Sequence, residues 1–96
     1  MELTPEKIPE PEIIEDIETV TGLESRVILY NDEWHSFDEV IVQLIKATNC
    51  SFEEARARTF EVHVKGRSTV FTGEFSACLN VSSILEEIAL HTQVVT

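Results

Sequence analysis

VILYNDEWHSFDEVIVQLI, residues 27–45, is the stretch whose reading decides the fold. Val27 to Tyr30 is a short unbroken apolar run of β-branched and aromatic character, the pattern of a buried strand. Asn31-Asp32-Glu33 interrupts it with side chains that bond nearby backbone and so favour turns. Ser36 followed by Glu39 is a capping box, in which each side chain satisfies an orphan amide of a first helical turn. From Phe37 the apolar positions recur at Val40, Ile41, Leu44 and Ile45, one face of an α-helix. A core strand therefore leads through the polar loop Asn31 to His35 into a buried helix. A short loop held at both ends by rigid elements is a good place for a binding site.

Downstream, Asn49 is a plausible stop for that helix, and Ser51 with Glu54 reads as a second capping box. Phe52, Ala55, Thr59, Phe60 and His63 keep helical spacing, and Gly66 stands where a C-terminal cap belongs. Arg67 to Thr72 is strand-like, and Thr72-Gly73-Glu74 opens a third helix with apolar face Ala77, Cys78, Val81, Ile84, Leu85 and Ile88. Val94 to Thr96 predicts a last short strand. The order predicts an α+β fold, a small three-stranded antiparallel sheet packed against three helices. Upstream, residues 1–24 hold all three prolines, eight acids and a single Lys7, which predicts a flexible, disordered acidic N-terminal extension. Ile13, Ile14, Ile17 and Val20 in it still recur at helical spacing. Two units are expected, the extension 1–24 and a core domain 25–96.

Ninety-six residues suffice for one small core without disulfides or metal. The net charge of −11 is concentrated in the extension, at −7, leaving −4 for the rest. With no basic patch or stripe, neither nucleic acid nor an anionic membrane surface is an expected partner, whereas a cationic peptide is compatible. The opening MELTPEKIPEPE has neither a basic region nor an apolar run, which argues against a secretory signal. No span approaches the roughly 20 apolar residues of a transmembrane helix. A cytoplasmic location is expected, with Cys50 and Cys78 as reduced, buried thiols.

Asn31 and Asp32 at the strand end and His63 at the end of the second helix form the polar group of interest. If the elements fold back on each other, an amide oxygen, a carboxylate and an imidazole converge beside Phe37 and Val62. Acceptors beside an apolar wall suit a ligand with an ammonium head and a hydrophobic side chain. The same residues also suit a plainer role, with Asn31 and Asp32 shaping a turn and His63 closing a helix. No cysteine has a local nucleophile signature, so a catalytic reading finds no support. His35, His63, His91 and the cysteines lack metal-ligand spacing, and there is no phosphate-binding glycine loop, so no metal or cofactor is expected.

VILYNDEWHSFDEVI followed by FEVHVKG resembles the ClpS adaptors of bacterial ATP-dependent Clp proteases. In that family an apolar strand leads into Asn-Asp-Asp, Thr-Pro-Met opens the first helix, and Val-His ends the second. The resemblance runs without gaps from Val27 to Gly66 and continues more weakly to about Leu90. It implies a non-catalytic adaptor that binds proteins with a destabilising hydrophobic N-terminal residue and delivers them to an unfoldase such as ClpA. It also implies that Asn31, Asp32 and His63 receive the α-amino group, and that Phe37, Val40 and Val62 form the side-chain pocket. Here Thr-Pro-Met is replaced by His35-Ser36-Phe37, and the third helix has Ser76 and Val81 where the family has a Glu and a Lys. Those departures suit the alternative of a diverged interaction domain without amino-end capture.

Overall fold

The protein is described here by a computed structural model, which covers residues 24–96; the acidic extension expected over 1–24 lies outside them except for Glu24. Three strands, β1 (Ser25–Tyr30), β2 (Arg67–Gly73) and β3 (Thr92–Val95), form one antiparallel sheet in the order β2-β1-β3. β1 takes the centre because its inward residues Ser25, Val27 and Leu29 are all buried, while Ile28 and Tyr30 on the other face are half-covered. The β1–β2 register jumps from Val27 opposite Phe71 to Ile28 opposite Thr69, so Val70 is the extra residue of a β-bulge.

The helices α1 (Phe37–Thr48), α2 (Phe52–Lys65) and α3 (Phe75–Glu86) build the core against the inward face of the sheet. Val27, Leu29, Ile41, Leu44, Val62 and Leu85 are its larger buried members. The Ser36–Glu39 box forms in full: Ser36 Oγ accepts the Glu39 amide at 3.1 Å, and Glu39 Oε1 accepts the Ser36 amide at 2.8 Å. The second box forms only by half, Ser51 Oγ accepting the Glu54 amide at 3.1 Å. Asn49 (φ 60°) and Gly66 (φ 89°) end α1 and α2 in the left-handed conformation, with their amides bonded to Ile45 and Val62 carbonyls.

Three details depart from the sequence pattern. On α2 the buried stripe is Ala55, Thr59 and Val62, while Phe52 and Phe60 are exposed. Small residues at 55 and 59 bring the helix backbone close to its neighbours, and the Thr59 hydroxyl is satisfied by the Ala55 carbonyl at 2.8 Å. α3 stops at Glu86, before Ile88; the chain turns through Ala89 at φ 66° and then buries Leu90. β3 begins at Thr92, two residues earlier than its Val-Val pair suggests, because it pairs with β1 from Leu29 down to Arg26. Gln43 is a buried polar residue whose Nε2 donates to the Ile84 carbonyl at 2.6 Å, in the last turn of α3, where that carbonyl also accepts the Glu87 amide at 3.1 Å.

Candidate functional site

β1 ends between two backbone anchors. The Tyr30 amide donates to the His91 carbonyl at 3.0 Å on the β3 side. The Asn31 amide donates to the Gly66 carbonyl at 2.9 Å on the α2 side. These bonds bring the start of the polar loop beside the last turn of α2, although the two are some thirty residues apart in sequence.

An open groove of about 460 Å³ lies there, and Asn31, Asp32, Phe37, Val40, Val62 and His63 all line it. The loop supplies the first two and α1 the next two, and α2 presents Val62 and His63 from its final turn. Leu29, Thr59 and Leu90 also line it, and Glu33, His35 and Ser36 contribute polar surface. Val62 is buried and Val40 half-buried, whereas Phe37 keeps 38% of its surface exposed. The Phe37 and His63 rings meet edge to face, with centroids 6.0 Å apart and planes at 76°. Asn31 and His63 are exposed, and their side chains take no hydrogen-bond partner among the described residues.

Asp32 is already engaged. Its Oδ1 accepts the amides of Trp34 at 2.8 Å and His35 at 3.0 Å, a side-chain-closed turn. Its Oδ2 lies 2.8 Å from His35 Nδ1. The other ring nitrogen, Nε2, donates to the Ile88 carbonyl just beyond α3. Both nitrogens of His35 thus face acceptors, an arrangement that only the doubly protonated imidazolium satisfies. The Ile88 carbonyl raises the His35 pKa above its usual 6.5 against the opposing effect of burial, and the Asp32 carboxylate adds to the rise. Burial acts to raise Asp32, but the amides of His35 and Trp34 together with the imidazole outweigh it and hold the carboxyl below 3.8. The partnership of His35 with Ile88 was not foreseen from sequence; the Asp-x-x-His spacing is the signal that could have suggested its pairing with Asp32.

Elsewhere, Cys78 is fully buried, its thiol pushed up by burial, and Cys50 is half-buried. Among the described residues no group of three or more His, Cys, Asp or Glu side chains is placed to hold a metal ion. No described helix is long and apolar enough to cross a membrane.

A three-stranded sheet covered by helices, with a mixed polar and apolar groove at the end of its central strand, defines a small α+β domain with a site for a small polar and apolar ligand. Residues 23–93 match the family described as ATP-dependent Clp protease adaptor protein ClpS, and the chain belongs to that family. It is 36% identical over 66 residues to the human E3 ubiquitin-protein ligase UBR1, covering 69% of this chain and 4% of that protein. It is 37% identical over 77 residues to human UBR2, covering 79% of this chain and again 4% of the relative. The chain thus spans about 4% of the length of these curated relatives. Its fold matches Agrobacterium tumefaciens ClpS2 bound to L-phenylalaninamide, with a TM-score of 0.70 at 18% identity, over 74% of this chain and 93% of the other.

The Asp32–His35 pair gives stability a defined pH window. Because the folded state raises the His35 pKa, its contribution is complete below about 6.5 and disappears as pH rises through the raised value. Because the folded state lowers the Asp32 pKa, that contribution is present above about 3.8 and disappears as pH falls through the lowered value. Urea unfolding should therefore show the wild type losing stability relative to His35→Gln as pH rises from about 6 through the raised His35 value. At the acid end the variant should be less stable by about 1–2 kcal/mol, the lower range for a charge-assisted bond near the surface. Parallel curves for the two proteins across that range would deny the pair its role.

Proposed function

We propose that this protein captures polypeptides through a free, hydrophobic N-terminal residue in the groove at the end of β1 and delivers them for degradation, itself performing no catalysis. The observation that carries this reading is the meeting of unoccupied Asn31 and His63 acceptors with the apolar wall of Phe37, Val40 and Val62 in a ClpS-family chain. Asn31, Asp32 and His63 would take the α-ammonium group, and the wall would take the first side chain. ClpS2, which shares the fold, is described with an amino acid amide that has a free amine and an aromatic side chain.

For the receiving machinery, the family description, which names an ATP-dependent Clp protease, favours a Clp-type ATPase; a ClpA-like unfoldase and a cytoplasmic location are our extension of it. A second reading has an observation of its own. The curated relatives at 36–37% identity are ubiquitin ligases, which favours a recognition module serving ubiquitin transfer. Ser76, exposed on α3 where the family has a Glu, fits that second reading as well as loss of the usual unfoldase contact, whereas Val81, where the family has a Lys, is buried in the core.

Peptides starting with a free Phe or Leu should bind, and their N-acetylated forms should bind about ten- to a hundredfold more weakly, the value of a charge-assisted hydrogen bond of roughly 1.5–3 kcal/mol. Fluorescence anisotropy measures this directly. Equal affinity for both forms would leave a diverged interaction domain without amino-end capture.

Phe37 should govern which first residues enter, because its ring takes volume at the mouth of the apolar wall. Phe37→Met is expected to improve Trp-starting peptides relative to Leu-starting ones by several-fold, about 1 kcal/mol of packing. An unchanged ranking with a lower melting temperature would make Phe37 a packing residue only.

The two receiving systems separate in reconstitution. With purified Clp unfoldase and protease, the chain should accelerate ATP-dependent loss of a reporter beginning with Phe and spare its acetylated form. No acceleration there, together with enhanced ubiquitin transfer to the same reporter by a ligase, would move the assignment to the second reading.

A further inference from the structure

Three of the roughly four acceptor positions of the Asp32 carboxylate are filled within this chain, two on Oδ1 by backbone amides and one on Oδ2 by His35 Nδ1. Among the described residues, the position left open is on Oδ2, the oxygen that already faces the imidazolium. An α-ammonium entering the groove and reaching Asp32 must therefore sit within about 6 Å of a resident cation, the range over which like charges oppose each other's charged form. We infer that His35 is the internal counter-cation of the amino-end site, sharing Asp32 with the incoming α-ammonium, so that peptide capture tightens when His35 gives up its proton. This rests on the proposed amino-end reading and gives that site a regulator.

The groups around His35 support competition at Asp32. On the loop are Asp32 and Glu33, and α1 contributes Glu39, whose charge also favours the imidazolium. α2 contributes His63 across the groove. From beyond α3 only the Ile88 carbonyl meets the ring, since Glu86 bonds Thr92, Glu87 bonds Lys46 and Gln43, and His91 stacks on Tyr30. His35 is thus held by one carboxylate and one carbonyl, and the carboxylate is the partner a ligand can draw upon. Loss of the proton leaves one nitrogen able to donate to Ile88 while the other releases Oδ2. The side chains of His35 and Asp32 are only 12% and 16% exposed, so bulk water screens the contest poorly.

The test is a pair of measurements on the full chain with a peptide beginning with free Phe. In the wild type, NMR titration of the His35 ring without and with saturating peptide should show its midpoint falling on binding. By linkage, the same factor, about three- to tenfold, should separate peptide affinities for the neutral and charged ring. In anisotropy titrations His35→Gln should bind at least about threefold tighter than wild type near pH 6, and the two should converge as pH passes the wild-type ring's measured midpoint, the peptide's own ionisation cancelling in the ratio. A midpoint that stays or rises while the signals of Asn31, Val62 and His63 respond saturably would overturn the inference and make His35 a strut of the loop. No response at those three residues would overturn the amino-end reading itself.

Discussion

The structure turns on how the last residues of β1 are fixed. Tyr30 and Asn31 spend their amides in opposite directions, one on the His91 carbonyl leading into β3 and one on the Gly66 carbonyl closing α2. The second bond exists because Gly66 stands at φ 89°, where an L side chain would carry a cost of about 1–2 kcal/mol. A strand clamped on both edges cannot slide, since a shift of one residue would turn Val27 and Leu29 out of the core. The loop that follows therefore leaves the sheet at a fixed place, beside the last turn of α2. Asn31 and His63 become neighbours through this backbone constraint, without a bond between their side chains.

The far end of the loop is fixed by different chemistry. Ser36 and Glu39 cap α1 reciprocally, and Asp32 folds the intervening residues by accepting two of their amides. His35 then ties this turn to the carbonyl of Ile88, one residue before Ala89 in its left-handed conformation. Such a backbone is uncommon for alanine and persists only where its surroundings impose it. Buried Leu90 on one side and the His35 bond on the other supply that imposition. The same charge pair that organises the loop thus reaches the chain crossing between α3 and β3.

What could be read from sequence was the local chemistry. The apolar run of β1, the Ser36–Glu39 box, Asn49 and Gly66 as stops, and the sheet-plus-helices class each follow from spacing over a few residues, and each appears in the structure. The groove holds Asn31, Asp32, Phe37, Val62 and His63, whose meeting was expected from two motifs taken together, and Val40, expected only from the family resemblance. What escaped depends on distant partners. Phe52 and Phe60 looked like core on hydrophobicity, but the small stripe Ala55–Thr59 is what lets α2 approach its neighbours. The start of β3 was set by pairing with β1, and the hold on His35 by a carbonyl fifty-three residues away, neither of which leaves a mark in local composition.

Phe37 shows how the proposed capture site would read a first side chain. It lies one helical turn before Ile41 on the buried stripe of α1, yet its ring keeps 38% of its surface in solvent because it falls where the core opens into the groove. Covering that remainder, about 60–90 Å² of an aromatic side chain, is worth roughly 1.5–2 kcal/mol. An aromatic ligand side chain buried opposite it would contribute about 1.5–3 kcal/mol on the same scale before the cost of association. The ammonium bonds, at roughly 1.5–3 kcal/mol each for a good charge-assisted contact, act beside a carboxylate whose field is partly neutralised by His35. In the proposed capture mode the apolar wall and the polar end thus make comparable contributions, and the polar end selects for a chain terminus. On that reading an internal hydrophobic segment, which offers the side chain but no amine, would forgo the polar share of the affinity.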